Sequence, residues 1–68
     1  MSRYVIKSKN EYYRGGSFVD YDGNRHPFTG PKKDAKVYLF GPMAKKTASV
    51  INKYAPEDEF CTVEEIRQ

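Results

Sequence analysis

Sixty-eight residues leave room for one domain with one thin core, since a chain of this size buries only about 60% of the surface its unfolded form exposes. Six Tyr and four Phe, set among 31% charged residues, exclude wholesale disorder, which goes with aromatic-poor chains. The formal charge of +3 is unevenly placed: residues 1–56 carry eleven Lys/Arg against four Asp/Glu, and residues 57–68 carry five acids against Arg67. Two readings follow. The basic part can meet nucleic acid or an acidic protein surface, or the acidic terminal strand lies beside the basic strands and neutralises them in cross-strand pairs.

Taken in chain order, Arg3 to Lys9 alternates as a strand, with Tyr4 and Ile6 on one face and Arg3, Val5 and Lys7 on the other. Lys9-Asn10 is a turn, with Asn10 as the residue that tolerates the left-handed region. Glu11 to Arg14 returns as a second strand, which Gly15-Gly16 ends. Phe18–Tyr21 and Arg25–Phe28 flank Asp22-Gly23, a type I′ hairpin signal. Pro27 lacks an amide donor, so the returning arm is an edge strand or a loop. Asp34 to Phe40 is expected to be the best strand, with Val37 and Leu39 facing inward.

Gly41 caps a helix and Pro42 takes its first position, where the missing N–H is harmless. The helix runs to Tyr54 or Ala55, before Pro56. Met43, Thr47, Val50, Ile51 and Tyr54 form an apolar stripe at helical period, and Lys45, Lys46, Ser49, Asn52 and Lys53 form the opposite face. Glu57-Asp58-Glu59 is a polar turn, and Phe60 to Arg67 is the last strand, with Cys61 and Val63 on one face. The expected fold is α+β: a three- to four-stranded, mainly antiparallel sheet against one helix, in the order ββ(β)βαβ. Its core is Tyr4, Ile6, Val37, Leu39, Met43, Val50, Ile51, Tyr54 and Val63.

Two groups of residues are candidates for contact. No acid occurs from Pro42 to Pro56, although the start of a helix disfavours cations by a few tenths of a kcal/mol each. Lys45, Lys46 and Lys53 therefore read either as a docking face for phosphates or carboxylates or as an ordinary wetted face. Tyr12, Tyr13, Arg14, Tyr21 and Arg25 interleave aromatic rings with guanidinium groups. That mixture suits base stacking along a cationic track, a protein-binding hot spot, or simple covering of a thin sheet.

Other motifs are explained away. A lone Arg14-Gly15-Gly16 is one RGG unit without repeats. Asp20-Tyr21-Asp22-Gly23-Asn24 begins like a calcium loop, but Arg25 stands where the EF-hand needs Gly, and Pro31 where it needs Glu. His26 has no catalytic partner at motif spacing, although Asp20 or Asp22 can approach it across the turn. Cys61 reads as a small core residue. No catalytic group, metal site or cofactor is expected. The longest apolar run, Val37 to Phe40, cannot span a bilayer. The first residues lack the apolar segment of a secretory signal. A cytoplasmic location is expected.

The words Tyr4-Val5-Ile6-Lys7, Glu11-Tyr12-Tyr13, Phe28-Thr29, Asp34-Ala35-Lys36-Val37-Tyr38 and Val63-Glu64-Glu65-Ile66, in this order around one Ala-containing helix, resemble a loose class of small phage and prophage proteins. The resemblance covers most of the chain, and many members have no assigned activity. It implies a non-enzymatic protein that binds and blocks a host macromolecule, as anti-CRISPR proteins do with defence nucleoprotein complexes. The alternative from the residues themselves is a small basic, aromatic nucleic-acid-binding module. A two-layer domain with a bare sheet face also allows a homodimer.

Overall fold

β1 (Ser2–Ser8) is the axis around which the other elements are arranged. The computed structural model describes residues 2–67, and of Arg67 only the backbone. It contains β1, β2 (Glu11–Val19), β3 (Arg25–Gly30), α1 (Gly41–Tyr54) and β4 (Cys61–Arg67), with single 3₁₀ turns at Lys32–Asp34 and Glu57–Glu59. The four strands form one antiparallel sheet in the order β3-β2-β1-β4, and α1 packs on one face. The fold is α+β, as the residue pattern indicates. Pro27 sits in β3, an edge strand, where a missing donor does least harm.

Alternation along β1 places Tyr4, Ile6 and Ser8 on the helix side, where Ile6 opposes Val63 and Ser8 opposes Cys61. Ile6, Tyr13, Tyr38, Ala44, Ala48, Ile51 and Cys61 form the core, with Tyr4, Ala55 and Val63 packed against it. Val5 points to the other face yet is also buried. There the Tyr12 hydroxyl reaches across β1 and donates to Glu64 at 3.3 Å, while the Lys32 ammonium lies 3.2 Å from Glu64 and 5.6 Å from the Tyr12 ring centroid. This side-chain roof covers the middle of the face that was expected to be bare. The acids of β4 are thus met by Lys32 and by the Ser2 hydroxyl, not by lysines directly opposite on β1.

Gly15-Gly16 does not end β2. Tyr13 opposes Thr29 and Ser17 opposes Pro27, so β2 takes two more residues than β3 to cover the same span. Gly15 (φ 99°) and Gly16 (φ 89°) form this bulge, and the Gly16 amide donates to the Tyr13 hydroxyl at 2.9 Å. Two glycines permit the bend because only they enter the left-handed region cheaply. Gly16→Ala is expected to lose about 1–2 kcal/mol, the cost of positive φ in a residue with a Cβ. The new methyl would also stand 3.2 Å from the Phe28 ring. Urea unfolding followed by circular dichroism measures the loss.

Both turns differ in detail from expectation. In the first it is Lys9, not Asn10, that takes positive φ (55°). The second is not type I′, which needs two successive residues with positive φ, because only Gly23 (86°) has it. Instead the Asp20 carboxylate oxygen Oδ1 accepts from the amides of Asp22 and Asn24, both at 2.9 Å, and the Gly23 amide donates to the Asp20 carbonyl. An Asx turn supplies the reversal.

Residues 34–40 are not a strand, and the expected inward pair is exposed. Tyr38 is buried, while Val37 and Leu39 face solvent. β1 and β2 pair directly only at Lys7–Tyr12 and Ser8–Glu11. Beyond that they part, and the extended segment fills the wedge. The Lys36 amide donates to the Tyr13 carbonyl at 2.9 Å, and Tyr38 and Tyr4 exchange both backbone hydrogen bonds at 2.8 and 2.9 Å. Only one bridge forms because the wedge admits only one short stretch of chain.

The helix has the expected extent, but Phe40 rather than Gly41 is its N-cap, and its buried stripe is shifted. Ala44, Ala48 and Ile51 face the core. Met43 (58% exposed), Val50 (51%) and Tyr54 (49%) do not. The physical reason is separation. Alanines let the helix lie close on the small sheet, as the Tyr4 ring does against Gly41, where an added Cβ would meet it at 3.3 Å. Asn52 leaves the wet face to bond β4: its Nδ2 donates to the Cys61 carbonyl at 3.0 Å, and the Cys61 amide donates to its Oδ1 at 2.6 Å.

Candidate functional site

The helix buries small side chains and displays large ones, and that inversion defines the candidate site. Met43, Val50 and Tyr54 recur at i, i+7 and i+11, one flank of a 3.6-residue helix about 100° from the core stripe. Phe40, one turn before Met43, and Leu39 continue the apolar surface beyond the helix start, both more than half exposed. Leu39, Phe40, Gly41 and Pro42 line an open groove of about 540 Å³ against Ser2, Arg3 and Tyr4.

Lys46 lies three residues from Met43 and four from Val50, and Lys53 lies three from Val50, so both border the apolar flank. The Lys53 ammonium also lies 5.6 Å from the Tyr54 ring centroid. Lys45 lies on the far side of the helix, about 160° from that flank, beside a shallow depression with Asn52 and Thr62. No acid stands in the first turn and no side chain caps it. Among the described residues, Lys45, Lys46 and Lys53 enter no ion pair, whereas Lys9 pairs with Asp58 and Lys32 with Glu64. The arrangement is an apolar strip with a cationic border.

The tyrosine–arginine group does not form one surface. Tyr13 is buried in the core, its hydroxyl accepting from Gly16. Tyr12 is committed to Glu64. Tyr21 stands fully exposed at the Asx turn, Arg14 lies beside Gly30 and Phe28, and Arg25 donates to the Ser17 hydroxyl at 2.9 Å.

No protein family, curated protein or solved structure matches this chain.

Sequence spacing also missed the partnership of His26. Its Nε2 lies 2.6 Å from Asp20 Oδ2, and its Nδ1 lies 2.6 Å from Glu59 Oε2. Asp20 is near in sequence and was a foreseeable neighbour. Glu59 is 33 residues away, and no local signal could have found it. Phe18 stacks on the ring at a centroid distance of 5.1 Å. The hydrogen bond to Asp20, joined by the Glu59 carboxylate, holds the imidazole above its ordinary value, and the imidazole in turn holds the Asp20 carboxyl below its own. Both ring nitrogens face carboxylates, so the imidazole is engaged on both sides within the protein.

Cys61 is buried, and burial pushes its thiol up, the opposite of an activated nucleophile. Among the described residues, no three metal-ligating side chains converge, and no helix is long and apolar enough to cross a membrane.

Proposed function

We propose that this chain is a non-enzymatic binding protein that docks onto an acidic protein surface and blocks it, in the manner of the small phage proteins it resembles. Leu39, Phe40, Met43, Val50 and Tyr54 supply the apolar centre, and Lys46 and Lys53 the cationic border. The observation that carries this reading is the outward placement of Met43, Val50 and Tyr54 on a helix whose inward residues are mainly alanine. Contiguous large apolar groups rimmed by charge mark interaction surfaces. A domain of this size can offer a standard interface of about 800 Å² per partner. Among the described residues Lys46 and Lys53 enter no ion pair, and such lysines favour an acidic partner surface and speed encounter.

The test is affinity capture from nuclease-treated bacterial lysate, with the wild-type chain beside a Met43→Ser/Val50→Ser variant and a Lys46→Glu/Lys53→Glu variant. All three are expected to unfold at urea midpoints close together. A stoichiometric protein retained by the wild type and lost from both variants is the expected result. Retention of that protein by both variants would move the docking surface elsewhere. Capture of nucleic acid alone from an untreated half of the same lysate, with affinity falling by about one log–log unit of salt per phosphate contact, would replace this reading with the nucleic-acid one.

A further inference from the structure

We propose that His26 is a proton-operated latch that holds the tip of the β2–β3 hairpin to the Glu57–Glu59 turn, and that losing its proton releases the tip. The inference is separate from the docking face and rests on geometry. One imidazole joins two segments that are otherwise far apart in sequence: Asp20 in the hairpin turn and Glu59 after the helix. Two carboxylates at 2.6 Å require two N–H donors, so only the imidazolium satisfies both. A neutral ring has one donor, and one carboxylate must then face a nitrogen lone pair.

The charged groups acting on the ring are Asp20 from the turn and Glu59 from the segment before β4; β2 contributes the apolar Phe18 ring. Asp20 is also the organiser of the turn, since its Oδ1 accepts from Asp22 and Asn24 while its Oδ2 meets His26. Release of Oδ2 therefore loosens the whole tip, which carries the exposed Phe18, Val19 and Tyr21. Imidazole is the side chain whose proton is lost near neutral pH.

The sign follows from the two shifts. His26 is raised above 6.5 in the fold. Its contribution is complete below 6.5 and is lost as pH rises through the folded-state midpoint. Asp20 is lowered below 3.8, so its contribution is present above that value and is lost as pH falls through the lower midpoint. The latch is closed between these limits.

His26 is the chain's single histidine, so its two ring C–H proton signals titrate without overlap from another imidazole. The measurement pairs that titration with hydrogen-exchange protection factors, corrected for intrinsic rates, at Asp22, Gly23, Asn24 and, as a control, Ala48 and Ile51. A midpoint above 6.5 is expected, lowered in both Asp20→Asn and Glu59→Gln. Tip protection should fall through the same midpoint, about tenfold for each unit by which it exceeds 6.5, while the helix amides stay unchanged. In His26→Gln the tip should exchange at the released rate at every pH. A midpoint at or below 6.5, or tip protection that is flat through the titration, would overturn the latch.

Discussion

Truncating Ile6 to Ala is expected to leave little of the chain folded at 25 °C. Ile6 is 0% exposed and stands at the centre of a core whose other members include two alanines and a cysteine. Removing a fully buried Ile side chain costs about 2–5 kcal/mol. A single core in a domain this small rarely supplies more than about 3–5 kcal/mol. The loss therefore consumes most of the stability. The informative control is Met43→Ala, a residue of similar bulk that the fold exposes, which should change stability by no more than about 0.5 kcal/mol. Urea unfolding of both variants decides the matter. Equal losses would mean that the helix is rotated towards the Met43 stripe.

Replacing Asn52 with Ala is the second large effect expected. Its amide group closes two hydrogen bonds with the backbone of Cys61, the first residue of β4. The last turns of α1 and the start of the edge strand are tied together by that one side chain. Alanine leaves a donor and an acceptor without partners beside a buried residue, at about 1–3 kcal/mol for each group that water cannot reach. Asn52→Asp keeps the acceptor but sets a carboxylate oxygen against the Cys61 carbonyl, so it should not restore the wild-type midpoint. The urea midpoint and the exchange rate of the Cys61 amide are the readouts. A wild-type midpoint in Asn52→Ala would show that water replaces the side chain at no cost.

The two hairpin returns and the helix limits are legible in the residues because each rests on a local rule, and the missing donor of Pro27 already restricts its arm to an edge strand or a loop. The core was legible only in part, and the errors share one form. Ile51 is buried as expected, but its partners are Ala44, Ala48 and the C-cap Ala55, each one residue on from the expected Met43, Thr47 and Tyr54. Period cannot choose between them, and side-chain size favours the wrong one. In the segment before the helix, Tyr38 turns inward in place of Val37 and Leu39, again a shift by one, which exchanges the two faces of an extended chain. In the first turn, Lys9 takes the role expected of Asn10.

The candidate site was legible in its charges and hidden in its apolar half. The absence of acids singles out Lys45, Lys46 and Lys53. Helical period and side-chain size assign Met43, Val50 and Tyr54 to the core, and only the alanines beneath the helix turn them into a surface. The Gly15-Gly16 pair reads as an ending because glycine weakens a strand, yet the same residues also permit a bulge. His26 needed Glu59, and contacts between distant segments leave no mark on local pattern.

The pairing of β1 with β4 also governs the order in which the molecule can assemble. Ser2 opposes Arg67 and Ser8 opposes Cys61 along the full length of both strands, so the central strand takes its longest partner from the opposite end of the chain. That union closes a loop containing every other element, and closure entropy must be met before the ladder forms. The β2–β3 hairpin and α1 can form early from local contacts. β1 must wait, with one edge open, until the last strand arrives. Folding limited by such distant contacts is slow for a chain of this size, falling towards the millisecond-to-second range.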